Sequence, residues 1–127
     1  MILRNPTGVH APVADYSHQI EVPAGGRWLV LSGQIGMTPD GTVPGDPVEQ
    51  ITEALANISR NLEAAGMTVR DLVKLTFYLV GAVDAAGRRA AVTTWLGGHE
   101  PCTTLLHVSA LADPALVVEI DAWAYTA

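Results

Sequence analysis

The stretch Asp46–Val80, DPVEQITEALANISRNLEAAGMTVRDLVKLTFYLV, contains a helix with both of its ends and the strand that follows it. Asp46 stands as N-cap, Pro47 at the first helical position and Glu49 at the third, a capping-box-like start. Val48, Ile51, Leu55, Ile58 and Leu62 then keep helical spacing, with Gln50, Glu53, Asn57, Arg60 and Glu63 on the other side. Gly66 stops the helix, because its missing Cβ lets the chain turn left-handed there. Val73 to Val80 alternates and is rich in β-branched and aromatic residues, which predicts a strand.

Outward from this pair, His18–Val22 and Arg27–Ser32 flank Ala24-Gly25-Gly26 and read as a hairpin. Trp28, Val30 and Ser32 point one way and Leu29, Leu31 and Gly33 the other; with both faces partly apolar, the second strand is expected to be central. Met37–Pro47 holds three prolines and two glycines and reads as loop. Asp84 caps a second helix running to Gly97-Gly98, and strands follow over Cys102–Ala110 and Leu116–Tyr125. The order is β-β-α-β-α-β-β, an α/β (α+β) chain whose two helices cover one face of a mixed sheet. The other face, still apolar, needs cover. Packing three such faces together supplies it and leaves clefts at the subunit boundaries.

At 127 residues the chain is one domain, residues 1–127, with no repeat or linker. Hydrophobic residues make up 49% and charged residues 16%, a thinly charged surface that favours self-association. Seven Lys+Arg against 13 Asp+Glu give a net charge of −6, and Arg88-Arg89 is the one basic pair. Such a chain repels phosphate, so no nucleic-acid partner is expected. The single Cys102 excludes an internal disulfide and fits a cytoplasmic protein. No signal peptide or membrane span is expected, and the histidines lack metal-ligand spacing, so neither metal nor cofactor is expected.

His10-Ala11-Pro12-Val13-Ala14-Asp15-Tyr16-Ser17, Ser32-Gly33-Gln34-Ile35, Gln50 through Asn57 to Gly66, Val73-Lys74-Leu75-Thr76, His99-Glu100-Pro101 and Val118-Glu119-Ile120-Asp121-Ala122 occur in one order and spacing. In these segments, spanning about Asn5 to Ala124, the chain resembles the RidA (YjgF/YER057c/UK114) family. The resemblance implies a fold similar to chorismate mutase, a homotrimer, and three intersubunit clefts that in the family's deaminases hydrolyse 2-imino or 2-enamino acids.

Those deaminases hold the substrate carboxylate with an arginine just after the His-x-Pro segment. Here Pro101-Cys102-Thr103-Thr104 puts Thr103 in its place. A guanidinium grips a carboxylate with two charge-assisted bonds of roughly 1.5–3 kcal/mol each, whereas a threonine offers one neutral bond. Strand alternation sets Thr103, Leu105 and His107 on one face. Leu105 stands where the family has a cysteine, making a less polar cleft. By the same resemblance Glu119 is the cleft glutamate that places the hydrolytic water, Tyr16 the tyrosine at the entrance and Ser32 the serine before Gly-Gln. Each also has a plainer reading: Glu119 as a solvent-facing strand residue, Tyr16 as a loop anchor, Ser32 as a small spacer and His107 as a structural histidine. Arg89 falls near a helix position that carries asparagine in deaminases; it is either a replacement positive charge or an exposed helix residue beside Arg88. The expected function is a small-molecule-binding trimer that hydrolyses an imine or enamine without the arginine's grip on a carboxylate; the alternatives are a 2-iminobutanoate/2-iminopropanoate deaminase and a noncatalytic metabolite binder. Endoribonuclease activity fits poorly with the charge, and chorismate mutase activity with only six arginines.

Overall fold

A computed structural model describes residues 1–127. Strands β1 (Ile2–Arg4) and β2 (Gln19–Glu21) form a two-stranded ribbon. Strands β3 (Arg27–Val30), β4 (Gln34–Ile35), β5 (Leu72–Leu79), β6 (Cys102–His107) and β7 (Val118–Thr126) form the main sheet. Its order is β3-β7-β5-β6, with β4 pairing β7 beyond the end of β3. Only β5 and β6 run parallel; the other pairs are antiparallel, so the sheet is mixed as expected.

Helix α1 (Pro47–Ala64) starts and stops where the sequence predicts. Asp46 Oδ2 accepts a hydrogen bond from the Glu49 amide at 3.0 Å, and Gly66 takes φ 71° just past the end. Replacing Asp46 by Ala is expected to lower stability by about 1 kcal/mol, read as an earlier urea midpoint with unchanged slope. Helix α2 (Ala85–Leu96) is capped by Asp84 and ends on Gly97 at φ 57°. Both helices lie on one face of the sheet. Ile51, Ala54, Leu55, Ile58 and Leu62 of α1 share one core with Leu96 of α2 and with Leu75, Phe77, Leu79, Val118, Ile120, Ala122 and Ala124 of the sheet.

The expected hairpin does not form. β2 pairs with β1, where Arg4 reaches both Gln19 and Glu21, while β3 pairs with β7 and has no other neighbour. The reason is apolar burial. Leu29 lies opposite Ala124, which lies opposite Leu72, and this row places Leu29 against the core. β2, with Gln19 and Glu21 exposed, brings nothing comparable. So β3 is an edge strand, not a central one, and its outward Trp28 and Val30 are 50% and 56% exposed.

The polar side of α1 also differs from its reading. Gln50 is buried and Asn57 half-buried. The Gln50 amide donates to Pro44 O at 2.8 Å and Ala115 O at 2.9 Å, and its oxygen accepts from the Val117 amide at 3.0 Å. Asn57 donates to Ile35 O and Met37 O at 3.0 and 2.9 Å. Two side chains of one helix thus tie down the loop before it, the segment leading into β7, and β4.

Candidate functional site

Register decides which side chains share a face. Phe77 of β5 lies opposite Leu105 of β6 and Ile120 of β7, while Tyr78 lies opposite Leu106 and Glu119. Side chains directly paired across strands point the same way. Thr103, Leu105 and His107 therefore face the helices with Phe77, and Cys102, Thr104, Leu106 and Glu119 face the opposite side with Tyr78.

On the helix side, a cleft of about 460 Å³ opens between β6 and α2. Phe77, Thr103 and Leu105 form its floor, Arg88, Arg89, Val92 and Thr93 its α2 wall, and Val13 to Tyr16 its rim. Thr93 Oγ1 donates to Asp15 Oδ2 at 2.6 Å, tying the rim to the helix. The rim is shaped further by Tyr16, whose hydroxyl accepts from the Val13 amide at 3.3 Å and whose ring meets His18 edge-on at 5.5 Å. His18 in turn contacts His10 O through Nε2 at 2.6 Å. Thr103 donates to Pro101 O at 3.3 Å, just ahead of its own strand.

Four of the residues singled out from the sequence, Tyr16, Arg89, Thr103 and Leu105, come together here. His107 shares their face but lies exposed at the end of β6, outside the cleft. Arg88 was missed. The basic pair was the available signal, and its plain reading as an exposed doublet gave no reason to choose the inner member. Arg88 is half-buried, and its burial, together with the adjacent Arg89 charge, lowers its pKa below the ordinary arginine value.

Glu119 lies on the other side of the sheet. Glu119 is half-buried opposite Ile35 and Tyr78 and has no side-chain hydrogen bond within the chain. Gly33 makes room for it: a Cβ at Gly33 would come within 2.6 Å of Glu119 Cδ. Ser32, next to that glycine, is exposed. Beside them Tyr78 donates to Asp121 Oδ2 at 2.9 Å, and that bond, with burial, raises the tyrosine above its usual pKa. The same face carries Leu106, Trp28, Val30 and Trp123, 38%, 50%, 56% and 46% exposed, with the two indoles edge-on at 6.0 Å. Cys102 also lies on this face, and burial pushes its thiol pKa up despite nearby Lys74, as suits an inert thiol. No three His, Cys, Asp or Glu side chains gather as a metal site, and no helix is long and apolar enough to cross a membrane.

Known proteins share this architecture. A Rid-family protein of Yersinia pestis, described as of unknown function, superposes with a TM-score of 0.86 at 32% identity over 97% of this chain and 96% of its own. A RutC family protein of Pyrococcus horikoshii is 34% identical over 90% of this chain and 89% of its own length. The mouse 2-iminobutanoate/2-iminopropanoate deaminase is 32% identical over 91% and 84%. The family model described as Endoribonuclease L-PSP matches residues 8–126. With the mixed sheet, its two covering helices and these relatives in agreement, the chain belongs to the RidA/YjgF family.

Proposed function

We propose that the chain works as a homotrimer whose clefts, completed between subunits, bind a small metabolite bearing a C=N bond and hydrolyse it. The observation that carries this reading is the division of the candidate residues. Thr103, Leu105, Tyr16 and the arginines lie on one face of the sheet, Glu119 on the other. Within one chain they cannot meet across the sheet; between neighbouring copies they can. The outward indoles and Val30 give the second face a reason to be covered by another copy.

In such a cleft, water adds to the imine carbon, nitrogen takes up the proton, and ammonia leaves as the carbonyl forms. Glu119 of one subunit takes the proton from the water and passes it on, while the neighbour's Thr103 and Leu105 hold the carbon skeleton. Two relatives' names support the chemistry: the mouse and Escherichia coli proteins, both 32% identical, are named 2-iminobutanoate/2-iminopropanoate deaminases.

The test has two arms. Sedimentation at micromolar concentration is expected to give about 40 kDa, three times the 13.4 kDa chain. A monomer removes the shared cleft. Hydrolysis of 2-iminobutanoate generated in situ is expected above the uncatalysed rate, yet at least roughly tenfold below a relative with arginine in place of Thr103, the worth of one charge-assisted bond. No acceleration with any imine or enamine tried would leave a binder and sink the hydrolase.

A further inference from the structure

The cleft beside β6 holds two positive charges that form no ion pair within the chain. Arg88 and Arg89 both reach it from α2. Neither forms an ion pair; the pairs in the chain are Arg4–Glu21 and Arg60–Glu53. The cleft's one carboxylate, Asp15, is held at the rim by the Thr93 hydroxyl at 2.6 Å, and with it the lining keeps an excess of one positive charge. Two unpaired cations in one concave site run against a net charge of −6.

Neighbours in sequence stand about 100° apart around a helix, so the two side chains enter the cleft from different sides. Arg88 is the inner, half-buried one and Arg89 the exposed one at the rim. A guanidinium moved partly out of water, with a like charge beside it, loses hydration that only a counter-anion restores. Its planar fork suits a carboxylate or phosphate group best. Burial and the neighbouring cation act on Arg88 in the same direction.

We propose that Arg88 and Arg89 are the anion-binding residues of this cleft, so that its ligand is a small organic anion whose charged oxygens sit on α2 and whose carbon chain lies against Phe77, Val92 and Leu105. The proposal rests on reading this cleft as the substrate site and deepens it by naming the ligand's charge class. Arg88 makes the direct grip. Arg89 attracts the anion from the rim, where salt screens its contribution. Thr103, its hydroxyl already bonded to Pro101 O, leaves the charge to the helix opposite.

Titration of the intact protein with butyrate and with its neutral isostere butyramide tests this without any turnover. Butyrate is expected to bind at least tenfold more tightly than butyramide. Arg88→Gln should cancel that preference while leaving the sedimentation coefficient unchanged, and Arg88→Lys should keep part of it. Arg89→Gln should weaken butyrate severalfold at low salt and little at high salt. Adding Thr103→Arg to Arg88→Gln returns a guanidinium to the same cleft and should recover butyrate binding. Equal affinity for the two probes, no binding of butyrate, or an unchanged preference in folded Arg88→Gln overturns the proposal. So does an Arg88→Gln protein that falls apart into monomers, since the arginine would then pair across subunits. Because the titration measures only binding, any of these results leaves the trimer and hydrolysis measurements standing on their own.

Discussion

Glu119→Gln is expected to cut imine hydrolysis by at least roughly a hundredfold, the usual worth of a positioned acid–base group, and to leave assembly intact. The amide keeps the size of the carboxylate but cannot accept the proton of the attacking water. Glu119 makes no side-chain hydrogen bond within its own chain and is half-exposed, so folding has little to lose. A large drop in thermal stability with turnover preserved would mark it as structural instead. The two-sided arrangement adds a sharper version. Co-refolding Glu119→Gln with a cleft-blocked variant such as Thr103→Trp should restore activity, because some clefts then combine an intact glutamate from one chain with an intact floor from another. Random mixing at equal amounts predicts recovery to about a quarter of wild type, one half times one half, for a cyclic trimer. Two inactive parents that stay inactive when mixed would mean that both residues serve one chain's site, or that one of them serves none.

The second large effect concerns stability. Gln50→Ala is expected to destabilise the chain by about 3–5 kcal/mol, since each buried polar group left without a partner costs about 1–3 kcal/mol and a cavity adds to it. Gln50 is 1% exposed and satisfies two carbonyls and one amide from segments far apart in sequence. Its loss releases the loop before α1 and the entry to β7 together, and β7 carries Glu119. Calorimetry should show the melting temperature falling by roughly 10 °C or more for a chain of this size. A drop under about 1 kcal/mol would mean that water replaces the amide at all three groups.

Much of the fold was legible because its signals are local. Asp46, Pro47 and Gly66 mark α1 by their own backbone chemistry, and Asp84 and Gly97 do the same for α2. The alternation of Val73–Leu79 is equally local and marks β5. The site residues were partly legible by resemblance, which picked out Tyr16, Thr103 and Leu105 for the cleft and weighed Arg89 as a replacement charge. It also offered His107, which lies outside that cleft.

What the sequence by itself determined about this protein is where its helices and principal strands run and which residues alternate on each strand. Those features depend on neighbours a few positions away. Only the tertiary structure decided which strand pairs with which: β3 took β7 in place of β2 because Leu29 gains a place in the core there. Only the structure turned Gln50 inward, because the groups that satisfy it come from Pro44, Ala115 and Val117, and a polar residue on a helix reads as exposed until such partners arrive. It alone set Thr103 and Glu119 on opposite faces, since that relation passes through the register of β5 between them. And it alone gathered Arg88, Arg89 and Thr103 around one cleft. Each of these outcomes rests on contacts between residues distant along the chain, whose energy exists only once the whole sheet and both helices have closed around a single core.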